Sequence, residues 1–233
     1  MLLTRPIRDV LSATPRTSIV RIDLDGAEFP YRAGQAVIAG AHGGDRRRPY
    51  SIADAPNHAR AQGCLELLVA VHGDAAHAPP FALTPGTLVD IEGPLGRFTL
   101  PDNAPERRFL FIAGGTGIAP LRAMYRHALT MPHYEIGVLY SARTPVDFAY
   151  EPELRALAAD RQIELELRVT RDESLGNWSG TRGRFNSVDL APLVHGRETL
   201  CFVCGPPTLV EEIPKALEEL GVPRTRIRTE EWM

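Results

Sequence analysis

The chain changes texture at Pro101-Asp102-Asn103-Ala104-Pro105, and that change limits its architecture more than any other feature. Before it lie short apolar–polar alternations broken by turn residues; after it, apolar runs alternate with segments of helical period. Ser18-Ile19-Val20-Arg21-Ile22-Asp23-Leu24 has the period of a half-buried strand, and residues 35–39, 49–53, 65–71 and 88–92 read as further strands. Asp25-Gly26, Gly34, His42-Gly43-Gly44-Asp45 and Pro85-Gly86 separate them, a rhythm that favours a sandwich or barrel, with one helical turn expected at 81–83. Beyond the change, strands are expected at 109–113, 134–140, 163–169, 200–203 and 226–230. Helices are expected at 119–129, 151–160, 187–194 (capped by Ser187) and 208–220, the last stopped by Gly221 and Pro223. Strand–helix repetition of this kind implies an α/β domain with a parallel sheet covered on both faces. The expected division is therefore a β domain at 1–103 and an α/β domain at 104–233.

Length and charge narrow the function. The 233 residues suffice for two small domains, and a net charge of -3 supplies no global field for nucleic acid or anionic lipid, so neither is an expected partner. No apolar run approaches the ~20 residues that cross a bilayer, and the first residues lack a signal-peptide pattern. A cytoplasmic protein without membrane association is expected. Cys201 and Cys204 form a CxxC inside an apolar, strand-like stretch. Residues three apart on a strand point to opposite faces, so one metal cannot easily take both thiols. With Cys64 the chain has three cysteines, too few for an iron–sulfur cluster with four cysteine ligands, and no metal site is expected.

Two short motifs carry candidate chemistry. Gly114-Gly115-Thr116-Gly117-Ile118-Ala119-Pro120 follows an apolar strand and opens a helix. Missing Cβ atoms let backbone N–H groups approach a pyrophosphate at a helix N-terminus, and Thr116 can donate a further hydrogen bond. The same residues also serve as a tight turn without a ligand. Arg46-Arg47-Arg48-Pro49-Tyr50-Ser51 puts a guanidinium, a ring and a hydroxyl at the end of a strand. An arginine there can grip a phosphate bidentately, and Tyr50, two residues along on the same face, can lie against a flat ring. A solvated arginine edge is the alternative.

Five segments in one order then resemble the ferredoxin–NADP reductase family across nearly the whole chain. They are Tyr31-Arg32-Ala33-Gly34-Gln35, Arg48-Pro49-Tyr50-Ser51, Gly93-Pro94-Leu95-Gly96-Arg97-Phe98, Gly114 to Pro120, and Cys204-Gly205-Pro206-Pro207. The resemblance implies a six-stranded antiparallel β-barrel for the first domain and a nucleotide-binding α/β domain after it. It implies that Arg48 holds flavin phosphate, that Tyr50, beside Pro49, packs along the isoalloxazine, and that Ser51 bonds near flavin N5. Gly114, Gly115, Thr116 and Gly117 would receive the nicotinamide pyrophosphate, with Cys204, Gly205 and Pro206 beside the nicotinamide ring. Cys204 is then an orienting residue and not a nucleophile. Ser141 and Arg143 fall where the family reads the adenosine ribose, which leans the coenzyme towards NADPH over NADH; Tyr150 is placed near adenine.

Two departures bear on the cofactor. The region matching the family's phosphate cradle reads Gly73-Asp74-Ala75-Ala76-His77-Ala78-Pro79-Pro80, where alanine removes a hydroxyl and two prolines remove N–H donors. FAD is the expected flavin, with FMN the alternative. The chain ends Glu230-Glu231-Trp232-Met233, and Trp232 either covers the flavin, swinging aside for the nicotinamide, or packs as an edge indole. The implied reaction is hydride transfer from NAD(P)H to flavin, then electron delivery to a separate acceptor: a ferredoxin, an oxygenase component or a small molecule. The competing function is a non-catalytic flavin-holding or regulatory subunit.

Overall fold

A computed structural model describes residues 1–71, 78–133, 135–171, 178–194 and 198–232. The first half contains strands β1 (Leu2–Thr14), β2 (Thr17–Asp23), β3 (Ala36–Ala41), β4 (Arg47–Ser51), β5 (Cys64–Ala70) and β6 (Leu88–Leu95), with helix α1 (Pro56–Gln62) between β4 and β5. They form one antiparallel sheet in the order β4-β3-β6-β1-β2-β5. Its edges meet through an Ile52–Leu67 bridge and a 2.8 Å bond from the Ala53 N–H to the Glu66 carbonyl, which closes the sheet into the expected barrel. Val20, Ile22, Val37, Ala39, Leu65, Leu67, Val89 and Ile91 fill the interior.

Three local expectations need correction. β1 is absent from the sequence reading because Pro6 sits inside it and register shifts between Ile7 and Asp9, and between Ser12 and Thr14, break the alternation. Helix α1 has only 7 residues, below the length at which period is legible; Pro56 opens it and Gly63, at φ 65°, closes it. Residues 81–83 form no helical turn; Phe81 is buried and meets Tyr50 edge-on at 6.0 Å.

The second half follows as β7 (Arg108–Gly114), α2 (Ile118–Ala128), β8 (Glu135–Ala142), α3 (Glu151–Ala159), β9 (Glu164–Val169), a two-residue β10 (Thr181–Arg182), α4 (Ser187–Leu190), β11 (Thr199–Gly205), α5 (Pro207–Glu219) and β12 (Ile227–Glu231). The sheet is parallel throughout, in the order β10-β9-β8-β7-β11-β12. The cap of α4 is Asn186, not Ser187: its side chain accepts from the Val188 N–H, and Asp189 reciprocates onto the Asn186 N–H. One face of the sheet packs Leu110, Ile112, Cys201 and Val203 against Ile213 and Leu217 of α5. The other packs Phe109, Phe111, Phe202 and Cys204 against Leu121, Met124 and Tyr125 of α2. Cys201 and Cys204 thus face opposite cores, as their spacing implies.

Helix α2 is buried on both sides because it lies between the sheet and the barrel. Ala33, Ala53, Leu68, Phe98 and Leu100 join its cluster from the first half. Phe98 continues an aromatic row, 5.7 Å from Phe202, which stacks on Phe111 at 5.5 Å. Gly34 explains its motif here. At φ +101° a Cβ would stand 2.3 Å from the Phe98 carbonyl oxygen, rigid backbone of the same half, and 2.2 Å from the flexible Met124 Cε, so a side chain would break the close approach of these two barrel segments.

Candidate functional site at the seam between the two halves

Strand β7 leads through α2 to β8 on one side, while its other neighbour is β11. The strand order therefore reverses between β7 and β11, and the crevice beyond their carboxyl ends is where open α/β sheets take ligands. Both glycine motifs reach it. Gly114 ends β7, Gly115–Gly117 form a single 3-10 turn, and α2 starts at Ile118 with no side-chain cap and no acidic residue in its first turn. The Ile118 N–H donates back to the Gly115 and Thr116 carbonyls, so it is the uncapped glycine turn itself, Gly115–Gly117, that faces an external acceptor.

The glycines divide their labour. A Cβ on Gly117 would lie 2.2 Å from the Cys204 carbonyl oxygen, and one on Gly205 would lie 3.0 Å from backbone atoms of Gly114. These residues, with Pro206 against Gly114, let the two loops close on each other. Gly115, at φ +55°, faces open space beside the half-buried Thr116, and these two present the loop to a ligand.

On the barrel side, β4 alternates. Arg48 and Tyr50 share the face of Ile52, opposite Ala39 and Val37 of the barrel core. Burial pushes the Tyr50 hydroxyl up to about 12 against the pull of Arg48 and Arg46. Arg47 points the other way and bonds Asp90 at 3.1 Å, while Pro49 is exposed. Ser51 is 6% exposed, and its Oγ has no hydrogen-bond partner among the described residues. A buried hydroxyl without a partner costs stability unless a ligand or water completes it, so Ser51 fits a polar heterocycle laid on this strand.

The carboxyl end of β12 supplies a residue the sequence reading missed. Glu230 is paired across the sheet with Cys204, and its carboxylate accepts from Trp232 Nε1 at 2.9 Å. Burial pushes its pKa up from 4.5, opposed by the indole bond; burial and the nearby Glu230 push the Cys204 thiol well above its usual range. Trp232 is half-buried against the seam cluster, and its backbone N–H donates to the Gly205 carbonyl at 3.0 Å. The sequence places Glu230 on the expected last strand, 226–230, but gives it no role, since a lone carboxylate at a strand end reads as solvated. Because the folded protein holds the Glu230 proton more tightly, its contribution to stability is largest below pH 4.5 and is lost as pH rises through the elevated folded value. Glu230→Gln is expected to flatten the stability-against-pH curve just above pH 4.5, measured by urea melts.

The remaining candidates scatter. The Ser141 hydroxyl is buried and donates to the Ala113 carbonyl at 3.2 Å, so it is spent inside the sheet. Arg143 is exposed, and its carbonyl accepts from the N–H of Arg171, an exposed second arginine at the end of the next strand. Tyr150 is not near a surface for adenine: it is buried at φ 62°, with the Arg122 guanidinium 4.2 Å above its ring. The left-handed turn before α3 throws it into the seam. Gly73 and its neighbours through His77 lie outside the described residues.

Comparison with known proteins agrees with this geometry. Residues 6–100 match the oxidoreductase FAD-binding domain family and residues 111–215 the oxidoreductase NAD-binding domain family. Ferredoxin–NADP reductase B of Sorangium cellulosum is 34% identical over 221 residues, covering 89% of this chain and 88% of that one. Oxidoreductase NAD-binding domain-containing protein 1 of Danio rerio is 26% identical, covering 99% and 92%. Among solved structures, the Amycolatopsis cytochrome P450 reductase GcoB superposes with a TM-score of 0.86 at 27% identity, covering 99% of this chain and 69% of that one. A ferredoxin NADP+ reductase from Neisseria gonorrhoeae shares the fold, with a TM-score of 0.80 at 20% identity over 99% and 98%. Among the described residues no helix is long and apolar enough to cross a membrane. The chain belongs to the ferredoxin–NADP reductase family of oxidoreductases, with an FAD-binding barrel followed by an NAD-binding α/β domain.

Proposed function

We propose that this protein takes reducing equivalents from NADPH and delivers them to a separate acceptor, a ferredoxin, an oxygenase component or a small molecule. The observation that carries the reading is the seam itself: a partnerless Ser51 hydroxyl on the flavin-side strand and an uncapped glycine-turn helix on the nicotinamide side. When bound, FAD supplies the chemistry that splits a nicotinamide hydride into electrons for the acceptor.

The chain's own residues bind and orient. Arg48 would hold flavin phosphate, Tyr50 would pack on the ring, and Ser51 would donate its hydroxyl to it. Gly115 and Thr116 take the dinucleotide pyrophosphate at the start of α2. Cys204 and Gly205 present an uncharged floor for the nicotinamide, since burial keeps the thiol protonated. Glu230 accepts the Trp232 indole N–H at the back of that floor, and Trp232 covers the site until the nicotinamide displaces it. Arg143 with Arg171 favours a 2′-phosphate, and hence NADPH over NADH. The similarity to ferredoxin–NADP reductase B supports a ferredoxin among the candidate acceptors.

Anaerobic titration of the FAD-loaded protein with each nucleotide tests the reading. Bleaching of the flavin by NADPH, with a dissociation constant at least tenfold below that for NADH, is expected. No bleaching with either would establish the regulatory-subunit alternative.

A further inference from the structure

A densely bonded group lies beneath the seam, among none of the candidate ligand-binding residues. Arg122, the fifth residue of α2, is 5% exposed. Its Nη1 donates to the Ala53 carbonyl at 2.6 Å and to Glu66 Oε1 at 2.8 Å; its Nε and Nη2 donate to Glu153 Oε2 at 3.0 and 2.7 Å. Its face lies on the Tyr150 ring. Burial works against the guanidinium charge, but Glu153 and Glu66 outweigh it and hold the group charged.

The acceptors belong to three different parts of the molecule. Ala53 lies two residues beyond Ser51, Glu66 sits on β5 and is tied to Arg21 at 2.9 Å, and Glu153 opens α3 and also accepts from Tyr125 at 2.9 Å. One helical turn along, Arg126 repeats the pattern onto Asp54 at 2.8 Å. The helix that begins at the glycine turn is thereby bolted to the backbone that presents Ser51.

We propose that Arg122 is a positioning residue that sets the separation between the flavin-side strand and the nicotinamide-side loop. This rests on the reductase reading above. Only a planar fork of donors can satisfy a carbonyl and two carboxylates in different directions; an ammonium keeps the charge and reaches fewer of them. Rates of transfer between two bound rings depend steeply on their spacing, and a shift of about 1 Å can cost ~100-fold. The candidate nucleotide-binding groups, Gly115, Thr116, Arg143 and Arg171, make none of the clamp's hydrogen bonds. Loss of Arg122 therefore changes rate and leaves affinity.

Single-turnover reduction of the FAD-loaded protein by saturating NADPH tests this, with dissociation constants measured beside it. Arg122→Lys is expected to retain FAD, bind NADPH within about twofold of the parent, and be reduced ~10- to 100-fold more slowly. Glu153→Gln, which loosens α3 but keeps the Ala53 and Glu66 bonds, is expected to slow reduction by about threefold. It carries the test alone if Arg122→Lys does not fold. A limiting rate equal to the parent's in the folded variants, with only a lower melting temperature, would reduce Arg122 to a structural role and overturn the proposal. If the parent itself is not reduced by NADPH or NADH, the reductase reading fails and the proposal fails with it, a result distinct from the first.

Discussion

Gly117→Ala is expected to slow NADPH-dependent flavin reduction by ~100-fold while leaving the bound flavin in place. The added methyl would lie 2.2 Å from the Cys204 carbonyl oxygen and 2.5 Å from its carbon, both rigid backbone atoms on a central strand. The glycine turn and the Cys204-Gly205-Pro206 loop must separate by about 1 Å to admit it, at an overpacking cost of ~1–3 kcal/mol. That displacement moves the start of α2 away from the crevice where the dinucleotide is received, whereas β4 is untouched. Gly115→Ala is the control within the same motif. Its Cβ would meet no described atom within 4 Å, so its stability cost is that of a φ of +55°, about 1–2 kcal/mol. Facing the space given to the pyrophosphate, it is expected to raise the NADPH dissociation constant and leave the limiting rate at saturation. Stopped-flow reduction of both variants, with flavin content and a urea melt, checks the contrast; equal rates for the two would sink the steric account.

The second large effect concerns the arginine run. Arg48→Ala is expected to weaken flavin binding by ~10- to 150-fold, the loss of 1.5–3 kcal/mol that hydrogen bonds to a charged group contribute. Arg47→Ala is expected to leave flavin affinity unchanged, because Arg47 lies on the opposite face of β4 and is held by Asp90. Its deletion instead releases a carboxylate that also accepts from Thr4 at 2.6 Å and meets His42 Nδ1 at 2.9 Å, so its effect falls on barrel stability. Dissociation constants from flavin fluorescence on reconstitution would separate neighbours that the sequence shows only as three consecutive guanidiniums. Equal flavin affinity in both variants would remove Arg48 from the site.

Most of the fold was legible because it depends on period. Segments such as Thr17–Asp23 and Phe109-Leu110-Phe111-Ile112-Ala113 announce strands by alternation or continuous apolarity, and Pro207–Glu219 announces a helix by its stripe. β1 escaped because bulges and Pro6 destroy its period, and α1 because seven residues are too few to show one.

The site was legible where chemistry is local and hidden where it is not. Ser51, the glycine turn and Cys204-Gly205 are short motifs whose residue types alone suggest a flavin and a nucleotide. Glu230 and Arg171 carry no such signal; they matter because parallel pairing sets Glu230 beside Cys204, and because the Arg171 N–H meets the Arg143 carbonyl across adjacent strand ends. Tyr150 went the other way, since a positive φ before α3 turned an apparent surface aromatic into a buried one.

The sequence by itself determined the two-part architecture, the family and the candidate ligand loops, because propensity, period and short motifs act over a few residues. The tertiary structure alone decided which glycines are fixed by the close approach of another loop and which face open space. It also decided that Arg47 turns to Asp90 while Arg48 takes the other face of β4, and that Arg122 joins the halves. Those assignments depend on contacts between residues distant in the chain, where burial and backbone approach set the chemistry and local pattern carries no trace of them.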